Sequence, residues 1–282
     1  MFFNQLGYYS LIFGLIFSII LFPIAYRDFK IVNNSISSNI LTILSLQLLL
    51  VFLSFISLII SFVNSDFSNE TVYNNSHTTK PLFYKISGTW GNHEGSLLLC
   101  LLVLILFIFL FLLTSKKEPK KYRITTLLFQ QIIILGFLLF LLITSSPFDY
   151  IFPIPQEGLG LNPILQDPIL AIHPPILYLG YIGSSIIFSS SLAAITQNYV
   201  DSNWAKNLKN WVIISWIFLT IGIVLGSIWA YYELGWGGFW FWDPVENISL
   251  MPWLCLTALV HSILVLEKKS LFATWTLVLC IS

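Results

Sequence analysis

Charge is scarce in this sequence. Asp, Glu, Lys and Arg make up 9% of its 282 residues, against about 25% in a soluble globular domain, which argues against a surface that faces water all round. An excess of either sign is missing as well. Thirteen basic residues balance thirteen acidic ones, so the basic footprint of a nucleic-acid binder is absent. Cysteine is rare: Cys100, Cys255 and Cys280 lie in apolar runs and form no CxxC pair. They read as small buried residues, not as a disulfide framework or a thiolate zinc site. There is no Arg-rich amphipathic leader, and the first apolar run is too long for a signal h-region, so it reads as a retained span. Internal repeats, a P-loop and a Ser-His-Asp set are also lacking.

What is there is apolar: 57% hydrophobic residues, 16% aromatic, and a mean hydropathy of +0.85. A membrane span needs about 20 mostly apolar residues. Seven such stretches occur, at 6–25, 40–63, 96–114, 124–144, 175–196, 211–231 and 244–266. An eighth begins near Leu271 and runs to Ser282. The sequence therefore predicts an all-α polytopic membrane protein, a single integral membrane domain over 1–282 with about seven complete transmembrane helices and a truncated eighth, in contact with membrane lipid. The eighth leaves two expectations open, a fragment or a bundle completed by a partner chain.

Orientation follows from the basic residues. The odd-numbered connections hold 11 of them and the even-numbered ones only Lys80 and Lys85. The positive-inside rule then turns the even connections, near 64–95, 145–174 and 232–243, outward. Abundant Phe, Ile, Leu, Asn and Tyr resemble A/T-rich coding, as in an organellar or a low-GC genome; the expected location is the mitochondrial inner membrane, with a bacterial plasma membrane as the alternative.

The stretch 232–247 is the most unusual. Trp236, Phe239, Trp240, Phe241 and Trp242 crowd around Gly237 and Gly238. One or two interfacial Trp per span end is ordinary; five rings around two glycines is more than a belt requires. Trp236 and Trp240, four apart, share a face on a helical turn, and the glycines allow close approach. The expectation is a flat aromatic platform for a large planar ligand such as a porphyrin. Asp243, Pro244 and Glu246 read as an N-cap, a first-position proline and a capping-box partner, not as acid–base groups.

Four histidines remain. His77 falls in an Asn/Ser-rich loop and reads as solvated surface. His93, at the start of a span, reads as a helix-entry hydrogen-bonder or a site-lining residue. His173 precedes Pro174 and Pro175 and is expected at the N-cap of a proline-initiated helix; neutral imidazole there could cap or ligate metal. His261 is the one histidine well inside a span, where an ionisable group points to function or to a bond between helices. A bis-histidine haem would need a second imidazole that no other span supplies.

The run Trp236–Asp243 matches the pattern WGxxWxWD, the WWD signature of the haem-handling membrane proteins of cytochrome c maturation. With Trp229–Gly235 before it and Pro244–Asn247 after it, and with the stretches 87–99, 162–168 and 173–181, the chain resembles the CcmF type of that haem lyase family over essentially its whole length. The resemblance implies a component that receives haem from a CcmE-type chaperone. That component joins the haem vinyl groups to the cysteines of a CxxCH motif in apocytochrome c, aided by a CcmH-type apocytochrome-presenting subunit. It implies transient haem held by the loop residues Trp236, Gly237, Gly238, Phe239, Trp240, Trp242 and Asp243, with His173 as one iron ligand. It also implies a b-type intramembrane haem, with His261 as one of two ligands and thought to keep the delivered iron reduced. The second histidine of each pair would lie beyond Ser282, so a C-terminal CcmF piece is an implied partner if the gene is split. No residue is assigned a catalytic role. The rival readings are a haem exporter without lyase activity and a redox-coupled transporter subunit.

Overall fold

A computed structural model describes the chain except Asn34, Trp236, Gly237 and Phe239. Among the described residues the chain is helical, with a lone bridge, Asn69 to Tyr150, in place of any strand. The long helices are α1 (Phe2–Lys30), α2 (Ser38–Val63), α5 (His93–Thr114), α6 (Lys120–Ile143), α9 (Ser202–Glu233) and α10 (Pro244–Lys269). Short helices α3 (Glu70–Asn75) and α4 (Leu82–Gly88) lie between α2 and α5. The pair α7 (Pro168–Tyr181) and α8 (Ser184–Thr196) forms one further crossing, and α11 (Ala273–Ile281) follows α10. Seven crossings are long and apolar enough to span a membrane, matching the seven expected from hydropathy.

The helices form because their runs are apolar, and they stop where side chains can take over the free backbone groups. Ser37, Asn69, Asn92, Asp167, Asp201 and Asp243 each accept from a backbone N–H in the first turn that follows, replacing partners that a helix start lacks. The chain then winds so that α1 packs on α2 and α6, α2 on α5, α6 on α8, α7 on α9, and α9 on α10.

One end of the bundle is tied by polar contacts. Asn69 is fully buried and donates to Asn4 Oδ1 at 2.7 Å and to the Pro147 carbonyl at 2.8 Å. Thr78 donates its backbone N–H to Glu157 at 2.9 Å. The segments 64–80 and 145–160 therefore lie against each other beside the start of α1. His77 is not merely solvated: its Nδ1 lies 2.9 Å from Thr79 Oγ1 within this loop. At the opposite end, Lys120 is buried against Asp28 at 3.0 Å, and Arg123 donates to the Leu112 carbonyl at 2.6 Å. Two of the basic residues used to orient the chain thus also close connections.

The fifth crossing differs from expectation. Its helix starts at Pro168, not near Pro175, because Asp167 caps it by accepting from Ile169 and Leu170 at 2.8 and 2.9 Å. Proline suits the first helical position, where its missing N–H has no partner to lose. The crossing then breaks at Ile182 and Gly183. A Cβ on Gly183 would stand 2.2 Å from the Leu179 carbonyl and 2.4 Å from the Phe107 ring.

Candidate functional site

His173 lies inside α7, in its second turn, and not at an N-cap. Pro174 and Pro175 follow it within the same helix. Each proline lacks the N–H that would bond four residues back, so the carbonyls of Leu170 and Ala171 lose their helical donors. Trp90 supplies one replacement: its indole N–H donates to the Ala171 carbonyl at 2.9 Å. The proline pair is tolerated because a neighbouring element meets the demand it creates.

Across from it runs α9. Gly180, Gly222 and Gly226 bring α7 and α9 close: a Cβ on Gly180 would lie 2.3 Å from Leu219 N, and one on Gly222 would lie 2.7 Å from Leu177 Cα. Gly226 faces the imidazole itself, with His173 Cε1 2.7 Å from where its Cβ would stand. His173 Nδ1 lies 2.7 Å from the Gly222 carbonyl. A carbonyl only accepts, so Nδ1 carries a proton, and in the neutral ring Nε2 keeps its lone pair. Histidines that bind metal commonly donate their other ring N–H in this way.

The half-buried imidazole lines a cavity of about 330 Å³ together with Trp229, Trp240, Asp243 and Glu246. That size falls among small-molecule sites. The fold thus joins His173 to part of the 232–247 segment, 67 residues on from His173 to Trp240. The start of α10 is held by Asp243, which accepts from Glu246 N at 2.6 Å. Glu246 Oε2 accepts from the backbone N–H groups of Phe241 and Trp242, both at 2.9 Å. The expected capping pair is present, with Glu246 reaching past Asp243 to two loop residues.

Of the rings expected in the aromatic platform, those of Trp240 and Trp242 can be compared directly. The rings of Trp240 and Trp242 stand edge to face, 6.0 Å apart with 82° between their planes. Trp242 has a left-handed φ of +62°, is 70% exposed and is not among the residues that line the cavity. Among the described residues, a Cβ on Gly238 would meet the Trp240 carbonyl at 3.9 Å, an ordinary contact. Trp236, Gly237 and Phe239 lie outside the described residues.

His93 is the first residue of α5, but Asn92 does the capping, accepting from Gly95 N at 2.8 Å. His93 instead borders a separate 320 Å³ cavity with Trp90, Pro174 and Tyr178. His261 sits on an exposed face of α10, far along the helix from Asp243, and has no partner among the described residues. The structure does not bring His261 and His173 together in one cavity. Cys100, Cys255 and Cys280 are free thiols.

Sequence reasoning counted Trp229 in the family motif without giving it a role, and passed over Gly222 and Gly226. The spacing Gly222-xxx-Gly226 inside an apolar helix is itself a signal of close helix packing. The reciprocal pair that holds α9 to α10 was also hidden: Trp216 donates to Thr257 and Trp253 to Thr220, each at 2.8 Å.

Comparison with known proteins accords with this architecture. A family model described as Cytochrome C assembly protein matches residues 90–282. The chain is 49% identical over 275 residues to the cytochrome c-type biogenesis protein CycK of Bradyrhizobium diazoefficiens, covering 98% of this chain and 42% of that protein. It is 48% identical over 230 residues to the cytochrome c-type biogenesis protein CcmF of Escherichia coli, covering 81% of this chain and 36% of that protein. A solved structure, Cytochrome c Heme Lyase CcmF, superposes with a TM-score of 0.83 at 27% identity, over 99% of this chain and 45% of that one. The chain spans about two-fifths of the length of the curated relatives it matches. It belongs to the cytochrome c assembly protein family, as a CcmF-type member.

Proposed function

We propose that this chain carries the haem-holding part of a haem lyase of cytochrome c maturation, with 232–247 as its haem-handling segment. The observation that supports the reading best is the bond from His173 Nδ1 to the Gly222 carbonyl, 2.7 Å long, in a residue that lines the same cavity as Trp240 and Asp243. It leaves Nε2 as an iron ligand for haem delivered as substrate by a CcmE-type chaperone. Thioether formation adds a cysteine thiol of the apocytochrome across a vinyl group: the S–H bond breaks, an S–C bond forms, and the proton goes to the terminal vinyl carbon. The chain's part is positioning, which by itself lowers a barrier substantially. A CcmH-type subunit presents the apocytochrome. The basic-residue asymmetry supports an outward-facing loop, in the mitochondrial inner membrane or, as the bacterial relatives favour, a bacterial plasma membrane.

His261 would supply one axial imidazole to a resident b-type haem, its exposed face of α10 being open to a second histidine from outside these residues. When bound, that haem supplies an electron to keep delivered iron reduced. The least buried of the seven crossings is the one that carries His261, which suits a face covered by a further segment.

The test uses the membrane-extracted protein with its native partners. His173→Ala should lose haem retention at the loop and regain part of it with added imidazole, whereas His261→Ala should remove the low-spin b-type spectrum and leave the loop site folded. Unchanged spectra and cytochrome c yield in both variants would overturn the reading. Haem retention without thioether formation would favour an exporter.

A further inference from the structure

The end of the bundle opposite His173 carries a cavity of about 660 Å³, between the end of α1, the start of α6 and the turn that follows α8. Among the described residues that line it, three are lysines, Lys30, Lys120 and Lys121, and none is acidic. Their charges are not equally engaged. Lys120 is buried and donates to Asp28 at 3.0 Å, to the Ile31 carbonyl at 3.3 Å and to Asn33. Lys30 and Lys121 are exposed and meet ring faces instead. Lys30 Nζ lies 4.4 Å from the ring centroid of Tyr26, and Lys121 Nζ lies 5.4 Å from that of Phe29. A ring face attracts an ammonium without neutralising it, so both lysines keep a full charge and N–H donors for an anion. Glu118, three residues before Lys121, already accepts from the Tyr199 hydroxyl at 2.6 Å.

The apolar part of the lining narrows the ligand. Phe29, Ile31 and Val32 join the lysines, and Val32 has no cover at all, with a relative exposure of 101%. Both flanking helices are membrane crossings. Lys30 stands in the last turn of α1 and Lys121 in the first turn of α6, so the cavity opens at the boundary between hydrocarbon and water. Ammonium groups beside bare aliphatic surface at that depth suit a ligand with an anionic head and an apolar body. A free inorganic anion would meet the lysines and leave Val32 uncovered. A zwitterionic lipid would bring its own cation to them. Basic pockets between the ends of spans bind anionic headgroups on this physical basis.

We infer that Lys30 and Lys121 hold the phosphate of an anionic phospholipid, whose glycerol and upper acyl chain cover Phe29, Ile31 and Val32. The inference is independent of the haem-holding reading. The lipid joins the end of α1 to the start of α6 from outside, at the junction that Asp28 and Lys120 close from within.

The test uses the protein extracted in detergent with its native partners and stripped of lipid. It is titrated with phosphatidylglycerol or phosphatidylcholine, and bound lipid is counted by native mass spectrometry. Phosphatidylglycerol should bind at least about tenfold more tightly than phosphatidylcholine. Lys30→Gln and Lys121→Gln should each weaken phosphatidylglycerol about fivefold and leave phosphatidylcholine unchanged. Both lysines are exposed, so circular dichroism should match the unaltered protein. Lys116→Gln and Lys117→Gln remove the same charge at the same end but outside the lining, and should change binding less than about twofold. An equal loss in all four variants would reduce the effect to diffuse surface attraction and overturn the site. Equal binding of the two lipids overturns it as well. Displacement of phosphatidylglycerol by an equal concentration of inorganic phosphate would leave an anion site with no lipid role, and so would also overturn the inference.

Discussion

The indole of Trp90 donates to the carbonyl of Ala171 across 2.9 Å, and Ala171 is the residue whose helical donor Pro175 removes. A tryptophan before α5 thereby completes the turn of α7 that carries His173. Its ring also stacks on Phe55, 6.4 Å between centroids with 22° between planes, which fixes the direction of the N–H. Trp90→Phe should keep the stacking and leave the carbonyl unpartnered, at a cost of about 1–3 kcal/mol. We expect faster hydrogen exchange in 168–176 and a weaker imidazole-ligated haem signal that added imidazole partly restores. Exchange identical to the unaltered protein would refute the role.

Gly226 provides a sharper probe of the imidazole's seat. Gly226→Ala places a methyl 2.7 Å from His173 Cε1, so the ring must move and its bond to Gly222 must lengthen. The His173-dependent haem spectrum should fade while the bundle stays folded by circular dichroism. Gly136→Ala on α6 is the control: beyond its own turn of helix, no atom of the described residues would lie within 4 Å of its Cβ, and alanine is preferred in a helix by about 1 kcal/mol. Equal spectra in the two variants would count against the seat.

The start of α10 is predicted to depend on two carboxylates with separable jobs. Asp243→Ala removes the cap on Glu246 N and should destabilise the helix start by about 1 kcal/mol. Glu246→Ala releases the N–H groups of Phe241 and Trp242 instead. Hydrogen exchange should then rise at 246–248 in the first variant and at 241–242 in the second. The same pattern in both would show that the two side chains act as one.

Lys80 gives a pH dependence. It is buried at the polar end of the bundle, where its Nζ donates to the Asn75 carbonyl at 3.1 Å. Burial, helped by the nearby charge of Lys85, pulls its ammonium from the ordinary 10.5 down to about 8. Between those values the unfolded chain holds a proton that the folded chain has released, so this group's contribution to stability rises with pH through that window and is least favourable below it. Relative to Lys80→Met, which cannot titrate, the unaltered protein should gain thermal stability as pH rises from about 7.5 to about 10. A pH-independent difference would contradict this.

The sequence by itself determined the crossings, because hydrocarbon leaves backbone groups no partner but each other, and runs of about 20 apolar residues can satisfy them only as helices. It also determined the start of α10, since Asp243, Pro244 and Glu246 act on neighbours within a turn. From the residues alone the WWD pattern and His173 were separate marks, and the family resemblance was what joined them at one haem. Their meeting depends on α7 closing on α9 through Gly180, Gly222 and Gly226, and that is a tertiary contact. The helix start at Pro168 was missed because two internal prolines read locally as a beginning. Only a donor 81 residues earlier in the chain, Trp90, makes them tolerable inside a helix.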